Sequence, residues 1–268
     1  MSDFLNRADA PFDDTFWKMI DEIVRDVAMG QLSARKLIYA EGPFGLGLQF
    51  FPGKEQSFSN DSIQLSAPDL NSLTLINGKF YITANSIAAF QKSGIRMDIE
   101  PLVKSVLQIA SQEDEFLYYG SSAMKLTGLL NSSGIQKYQL KPWDQVGDAV
   151  EDIIDAVTKL DTSGFHGPYS LALTPSLYNK LFRRYPQAET LEIDHLKSLV
   201  TDGVVKAAGI KSGGVLLAGN KEFASIILGQ DLCAGFEGPS GRDYVFTISE
   251  SIALRMDVPQ SICVLDAA

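Results

Sequence analysis

Apolar side chains recur every three or four positions between residues 13 and 32, at Phe16, Trp17, Ile20, Ile23, Val24, Val27 and Leu32. That period places them on one helical face, and Asp13 or Asp14 can cap the start. Residues 98–119 carry the clearest helical stripe: Ile99, Leu102, Val103, Val106, Ile109, Ala110, Phe116 and Leu117, opened by Asp98 and Pro101 and ended by Gly120. A third helix is predicted from Trp143 to Leu160, with Val146, Val150, Ile153, Ile154 and Val157 inward, and a short one from Pro175 through Leu181 and Phe182. Strands are predicted at Lys79–Thr83, Tyr169–Thr174, Val215–Ala218, Ser225–Leu228, Tyr244–Ile248 and Ile262–Leu265. Ile252, Leu254, Met256 and Val258 alternate with polar or small residues, the pattern of a half-buried strand. Ala34–Tyr39 reads as extended. The order is mixed α+β.

Residues 43–75 fit this picture least. Phe44, Leu46, Leu48 and Phe50 alternate with Gly45, Gly47 and Gln49, a strand signal. The chain then turns polar, rich in Ser, Asn and Pro, with Phe58, Ile63, Leu65 and Leu70 scattered through it. A run this long without helical period cannot bury its own apolar side chains in a compact monomer. In an oligomer it is a natural two-stranded arm lying on a neighbouring subunit.

Composition narrows the function classes. With 268 residues, 45% of them hydrophobic, the chain can build one large domain or two modest ones. Mean hydropathy is near zero, and 21% of residues are charged, so it reads as globular and soluble. A net charge of −10 repels phosphate backbones and disfavours nucleic-acid binding. No stretch approaches the ~18 apolar residues of a membrane span. The first residues lack the basic and apolar regions of a signal peptide. Cys233 and Cys263 lie far apart in sequence and read as small buried hydrophobes in a reducing cytoplasm.

Catalytic patterns are missing. The two histidines, His166 and His195, have no metal-ligand spacing around them. Ser122-Ala123-Met124-Lys125 matches a Ser-x-x-Lys motif but lacks the companion motifs, and reads as a helix-edge pair. Gly42-Pro43-Phe44-Gly45-Leu46-Gly47 does not spell a dinucleotide fingerprint, and Gly53-Lys54 is no phosphate loop. Glu113-Asp114-Glu115 reads as a solvated or interface-facing cluster. No catalytic residue, metal site or cofactor is expected, and a structural or binding role gains weight.

Several blocks together carry a family resemblance: Leu5 to Pro11 with Trp17, Ala34-Arg35-Lys36, Glu41-Gly42-Pro43-Phe44-Gly45, Glu113 to Gly120, and Gly128-Leu129-Leu130-Asn131. Gly167 to Leu173, Leu228-Gly229-Gln230-Asp231-Leu232, and Glu250 to Arg255 followed by Val258-Pro259 complete the set. In this order the chain resembles the encapsulins of family 1, the linocin-type nanocompartment shell proteins. The resemblance implies an α+β, phage major-capsid-protein (HK97-like) fold with a peripheral domain, an extended loop and an axial domain. It places the N-terminal helix and the start of the peripheral domain at 1–42, the extended loop at 43–75, and the peripheral domain with its long helix at 76–130. The axial domain falls at 131–223, and the C-terminal peripheral strands at 224–268.

The resemblance also implies a function: an icosahedral homo-oligomer that encloses cargo enzymes bearing a C-terminal targeting peptide. Expected guests are a ferritin-like protein or a dye-decolorising peroxidase, for iron storage or oxidative-stress defence. Phe44, Leu46, Leu48 and Phe50 of the extended loop are expected between subunits, adding to a neighbour's sheet edge. Carried over by position, the cargo-peptide groove falls on Ala28, Leu32 and Arg35, with Asp231 and Leu232 across it. Some relatives hold a flavin with aromatic residues; here Asn85 replaces the tryptophan and the loop at Pro186–Leu191 lacks an aromatic, so no cofactor is expected. Neither nucleic acid nor membrane is an expected partner, and the cytoplasm is the expected location. The alternatives are a phage or prophage major capsid protein of the same fold and, remotely, a soluble hydrolase.

Overall fold

The computed structural model describes residues 3–60, 63–186 and 189–267. In chain order the elements are α1 (Asp14–Gln31), β1 (Tyr39–Glu41), β2 (Phe50–Asn60), β3 (Ile63–Ser72), β4 (Thr74–Thr83), α2 (Ala84–Ser93) and α3 (Glu100–Tyr119). Next come β5 (Gly120–Ser121), β6 (Leu126–Thr127), β7 (Gln136–Gln139), α4 (Asp148–Thr162), β8 (Tyr169–Leu173), α5 (Pro175–Lys180) and α6 (Glu192–Leu199). The chain closes with β9 (Gly203–Lys206), β10 (Gly214–Ala218), β11 (Ala224–Ser240), β12 (Asp243–Met256) and β13 (Ile262–Asp266). They divide into two compact units, each interrupted in sequence.

The first unit comprises Met1–Leu32, Gly42–Glu113 and Ile227–Ala253. Its frame is the antiparallel pairing of β4 with β12, in unbroken register from Thr83↔Asp243 to Thr74↔Ile252. Strand alternation turns Ile76, Phe80 and Ile82 inward and leaves Tyr81 outside. Phe80 and Phe246 are direct partners, and their rings stack at 5.1 Å. Phe12, Phe16, Trp17 and Phe236 surround Phe246 at ring distances of 5.6–6.1 Å. Gly78 of β4 gives α3 its close approach: a Cβ there would sit 3.0 Å from Cδ1 of Ile109. Asp13 caps α1 by accepting from Phe16 N at 2.9 Å, and Gly94, at φ +64°, ends α2.

The second unit comprises Ser33–Glu41, Asp114–Ile226 and Leu254–Ala268. Its sheet has the order β7-β13-β10-β8-β9. β10 runs antiparallel to both β13 and β8, while β7 and β9 are parallel to their neighbours. β8 and β10 are buried along their whole length, as expected of central strands covered on both faces. Ile153, Ala156 and Leu160 of α4 pack with Leu171, Leu196, Leu216 and Cys263 into the unit's core.

Three expectations from the sequence shift here. Ala34–Tyr39 is not extended: Ala34–Lys36 forms a 3-10 turn. The cause is Asp114, whose carboxylate accepts from Ser33 N and Ala34 N at 3.0–3.1 Å and from Ser33 Oγ, curling the backbone around it. The helix predicted from Trp143 starts at Asp148. Trp143 stands at φ +49°, its indole turned inward to Asp152. Glu113-Asp114-Glu115 is not a solvated cluster either, since Glu113 and Asp114 are buried.

Candidate functional site

β2 and β3 form a two-stranded antiparallel ribbon, from Phe50↔Ser72 at the root to Asn60↔Ile63 at the far end. The ribbon pairs with no other strand among the described residues. Its apolar side chains stay in solvent: Phe58 is 65% exposed, Ile63 67%, Leu65 64% and Leu70 65%.

The register sorts these side chains by face. Phe58 pairs with Leu65, and Ile63 and Ala67 lie two positions either side of Leu65, so the outer half has one apolar face. Ser57, Ser59, Gln64 and Ser66 occupy the opposite face. A bulge lies between Pro52 and Glu55. One extra residue reverses which face a strand's side chains take. Near the root, therefore, Phe50, Pro52 and Leu70 point to the face that is polar further out.

Phe44, Leu46 and Leu48 do not continue the strand. They belong to an irregular segment before β2. Phe44 N donates to Leu228 O at 3.0 Å and Gly45 N to Gly229 O at 2.6 Å, tying the segment to β11. Gly42 and Gly45 take φ of +120° and +99°, which side chains disfavour. Leu73 N donates to Gln49 O at 2.9 Å, closing the root where the ribbon passes into β4. A cavity of 420 Å³ opens there, lined by Phe4, Leu46, Leu48, Phe50, Leu73 and Leu75, with Gln49, Ser72 and Ser251.

The residues expected to form a peptide groove are placed as follows. Ala28 and Leu32 lie one turn apart at the end of α1, and both are buried. Asp231 is exposed and Leu232 half-buried on β11. Asp231 Oδ1 accepts from Leu232 N at 2.8 Å. Arg35 is half-buried and belongs to the second unit. Arg7, not singled out from the sequence, joins the two elements of the first unit. It donates to both carboxylate oxygens of Asp21 on α1 at 2.8 and 2.6 Å and to Ala234 O on β11 at 2.9 Å. Its guanidinium also lies 4.5 Å from the centre of the Trp17 ring. No motif marks such a clamp; a lone arginine in a short N-terminal segment carries no spacing signal. Along α1, Ile23 and Val27 are half-buried at i, i+4 spacing, and Cys233 beside Leu232 is half-buried too. Burial pushes the Cys233 thiol up to about 11.

The chemical candidates remain scattered. Among the described residues no three His, Cys, Asp or Glu side chains gather into a metal-holding group. His166 contacts Asp161 at 2.9 Å, and the His195 ring lies tilted against Tyr185 with ring centres 4.9 Å apart. Ser122 and Lys125 occupy a surface turn between β5 and β6 rather than a helix edge, with Lys125 at φ +58°. Asn85 is exposed in the first turn of α2. Gln187 and Ala188, within the loop at Pro186–Leu191, lie outside the described residues. No helix of the described residues is long and apolar enough to cross a membrane.

Known proteins share this arrangement. The Linocin_M18 family model, described as an encapsulating protein for peroxidase, matches residues 1–253. The type 1 encapsulin shell protein EncA of Myxococcus xanthus is 28% identical across 100% of this chain and 98% of its own length. A ferritin-like-encapsulin shell fusion protein of Pyrococcus furiosus is 26% identical over 77% of this chain and 56% of its own. In structure, the chain is similar to a virus-like particle from Pyrococcus furiosus, with TM-score 0.75 and 21% identity over 94% of this chain and 99% of that one. The capsid of the myovirus XM1 shares the fold at TM-score 0.59 and 11% identity, over 86% and 90% of the two chains. The fold is thus the HK97-like fold of phage capsids and encapsulins. With the family model spanning nearly the whole sequence, the chain belongs to the Linocin_M18 family of encapsulin shell proteins.

Proposed function

We propose that this chain is the subunit of a closed icosahedral compartment, built from copies of itself, that encloses cargo proteins carrying a short C-terminal targeting peptide. The ribbon of β2 and β3 carries the reading. It holds apolar side chains in water on both of its faces, with no strand beside it among the described residues. Contiguous exposed apolar surface of this kind marks an interaction site. Heterologous contacts between copies cover such a surface repeatedly and close into a shell when their rotations close. Catalysis is then left to the cargo, and this chain supplies closure and docking.

Docking falls to α1 and β11. Leu232, with Ile23 and Val27 on α1, offers half-buried apolar surface to a peptide's aliphatic anchors, while Ala28 and Leu32 are buried. Asp231 supplies a polar group to fix one end. Many such sites facing one lumen make a modest peptide affinity sufficient. The family's description names a peroxidase, and one relative is fused to a ferritin-like protein. Both favour oxidative-stress defence or iron storage as the service of the assembly.

The test is imaging of the purified chain: hollow particles of megadalton mass are expected, and monomers or dimers at micromolar concentration refute the shell. Particles purified full of nucleic acid would instead identify a phage or prophage capsid. A fluorescent protein bearing the targeting peptide of a co-encoded cargo should load into these particles. Leu232→Asp should cut loading while leaving particle size unchanged; equal loading removes the α1–β11 assignment.

A further inference from the structure

We propose that the second unit holds a binding site for a free apolar α-amino acid, recognised by its two charges and its aliphatic side chain. The site stands on the geometry of that unit alone and does not depend on the shell reading.

A cavity of 230 Å³ opens where β10 ends at Ala218 and β13 begins at Ile262. Every residue lining it belongs to the second unit. Leu217 and Ile262, direct partners across β10 and β13, line it together with Leu37 and Ile38. All four are buried. This apolar wall is therefore part of the packed core and is set before a ligand arrives. The volume lies just below the range of about 300–1,000 Å³ of sites for drug-sized ligands, so the ligand it suits is smaller than those.

The polar lining comes from two turns. Asp202 precedes β9, while Asn220 and Lys221 lie between β10 and β11. Both turns are tied to the start of β8: Asp202 N donates to Tyr169 O at 2.9 Å and Gly219 N to Pro168 O at 2.6 Å. Gly219 permits their close approach, since a Cβ there would sit 2.6 Å from Oδ2 of Asp202.

Two opposite charges thus line one cavity, yet no ion pair joins them among the described residues. The Asp202 carboxylate has no hydrogen-bond or ion-pair partner there, and Lys221 has a loose contact with its neighbour Glu222 at 3.8 Å. The side-chain oxygen of Asn220 accepts from Glu222 N at 3.0 Å, which leaves the amide N–H groups to donate. One group for a cation and two for an anion, beside an apolar wall, match an apolar α-amino acid. Its ammonium meets Asp202, its carboxylate meets Lys221 and Asn220, and its side chain meets Leu217 and Ile262. Tyr39, 60% exposed, adds an aromatic ring to the same lining, a surface that attracts an ammonium. A plain carboxylic acid would be repelled by Asp202 and by the chain's net charge of −10, and a plain amine would leave Lys221 unanswered.

Equilibrium dialysis of the full-length protein against radiolabelled leucine tests the site. Saturable binding is expected with a Kd of about 0.1–1 mM, the strength that a ligand of so few atoms supports. Glycine, which lacks the side chain, should compete about tenfold less well or worse. Leucinamide lacks the carboxylate and N-acetyl-leucine the ammonium. Each should compete about fivefold less well, a modest figure because both charged partners are exposed. Asp202→Asn should weaken leucine by about the same factor and narrow its advantage over N-acetyl-leucine. Lys221→Gln should narrow its advantage over leucinamide. Both positions are exposed, so the two variants should keep the wild-type melting temperature and particle size. No saturable binding up to about 10 mM, well above the expected range, overturns the proposal. So does glycine competing as well as leucine, or leucine binding unchanged in both variants. N-acetyl-leucine or leucinamide competing as well as leucine also overturns it, and marks instead a site for the carboxyl or the amino end of a peptide.

Discussion

Asp152 offers a sharp test of how the second unit is held. Its side chain is fully buried on α4. One oxygen accepts from Trp143 Nε1 at 2.8 Å and from Lys141 N at 2.7 Å, and the other from Tyr138 OH at 3.2 Å. The carboxylate thus fixes the segment leading into α4 and the indole of a fully buried tryptophan. Asp152→Ala leaves the buried Trp143 Nε1 without its acceptor, at about 1–3 kcal/mol, takes the acceptor from the partly buried Lys141 N–H, and opens a small void. A loss of about 3–5 kcal/mol is expected, an effect of the size reported for broken buried polar networks. Tyr138→Phe removes the longer contact to Asp152 and the exposed 3.0 Å bond to Asp155, leaves the other two donors to Asp152 in place, and should cost about 1 kcal/mol or less. The chain has two tryptophans, Trp17 in the first unit and Trp143 in the second. In a Trp17→Phe background, emission reports Trp143 alone, and urea unfolding at fixed protein concentration follows this unit. The Asp152→Ala midpoint should fall by about 1 M or more. A shift no larger than that of Tyr138→Phe would refute the claim that this carboxylate organises the unit.

Two further outcomes follow from the electrostatics. The hydrogen bond from Tyr169, then that with His166, holds Asp161 below its ordinary value of 3.8. A carboxylate depressed on folding stabilises the protein above its unfolded pKa, and that contribution is lost as pH falls through the folded value. Tyr169→Phe should therefore make acid unfolding below about pH 4 less steep; an unchanged acid limb contradicts the assignment. Burial pushes both thiols, Cys233 and Cys263, up to about 11. At pH 8 each is then about one part in a thousand thiolate, so Ellman's reagent should modify the folded chain about 100-fold more slowly than the urea-unfolded chain. Equal rates would show that Cys233 is not shielded.

Helical period was the most legible signal. The stripes at 13–32 and 98–119 appear as α1 and α3, because a long amphipathic face leaves little choice of period or partner. Local chemistry that reaches across the sequence was not legible. The curl at Ala34–Lys36 depends on Asp114, eighty positions away from Ala34, and the late start of α4 depends on an indole turned back to Asp152. The acidic run at 113–115 misleads for the same reason, since a carboxylate that receives buried backbone donors looks in sequence like one that faces water. At the arm, the lack of helical period across 43–75 pointed to an extended segment, but the alternation at Phe44–Phe50 marked its root and not its strand. The bulge after Pro52 explains why no single period runs through both halves: β3 keeps its alternation, while β2 gains one residue.

That extra residue links the two ends of the arm's problem. The arm must be rigid at its root, or the position of its outer face would carry too much freedom to fix one contact. Ten consecutive pairs between β4 and β12, the Gly42–Gly45 segment bonded to β11, and the Leu73–Gln49 bond supply that rigidity. The outer half must remain apolar yet soluble until covered, and a ribbon with one polar and one apolar face meets both demands. A ribbon of unbroken register would place Phe50 and Phe58 on the same face, so the surface that lines the root cavity and the surface offered outward would coincide. The bulge separates them, so the hairpin lines the root cavity with one face and carries its outer apolar side chains on the other.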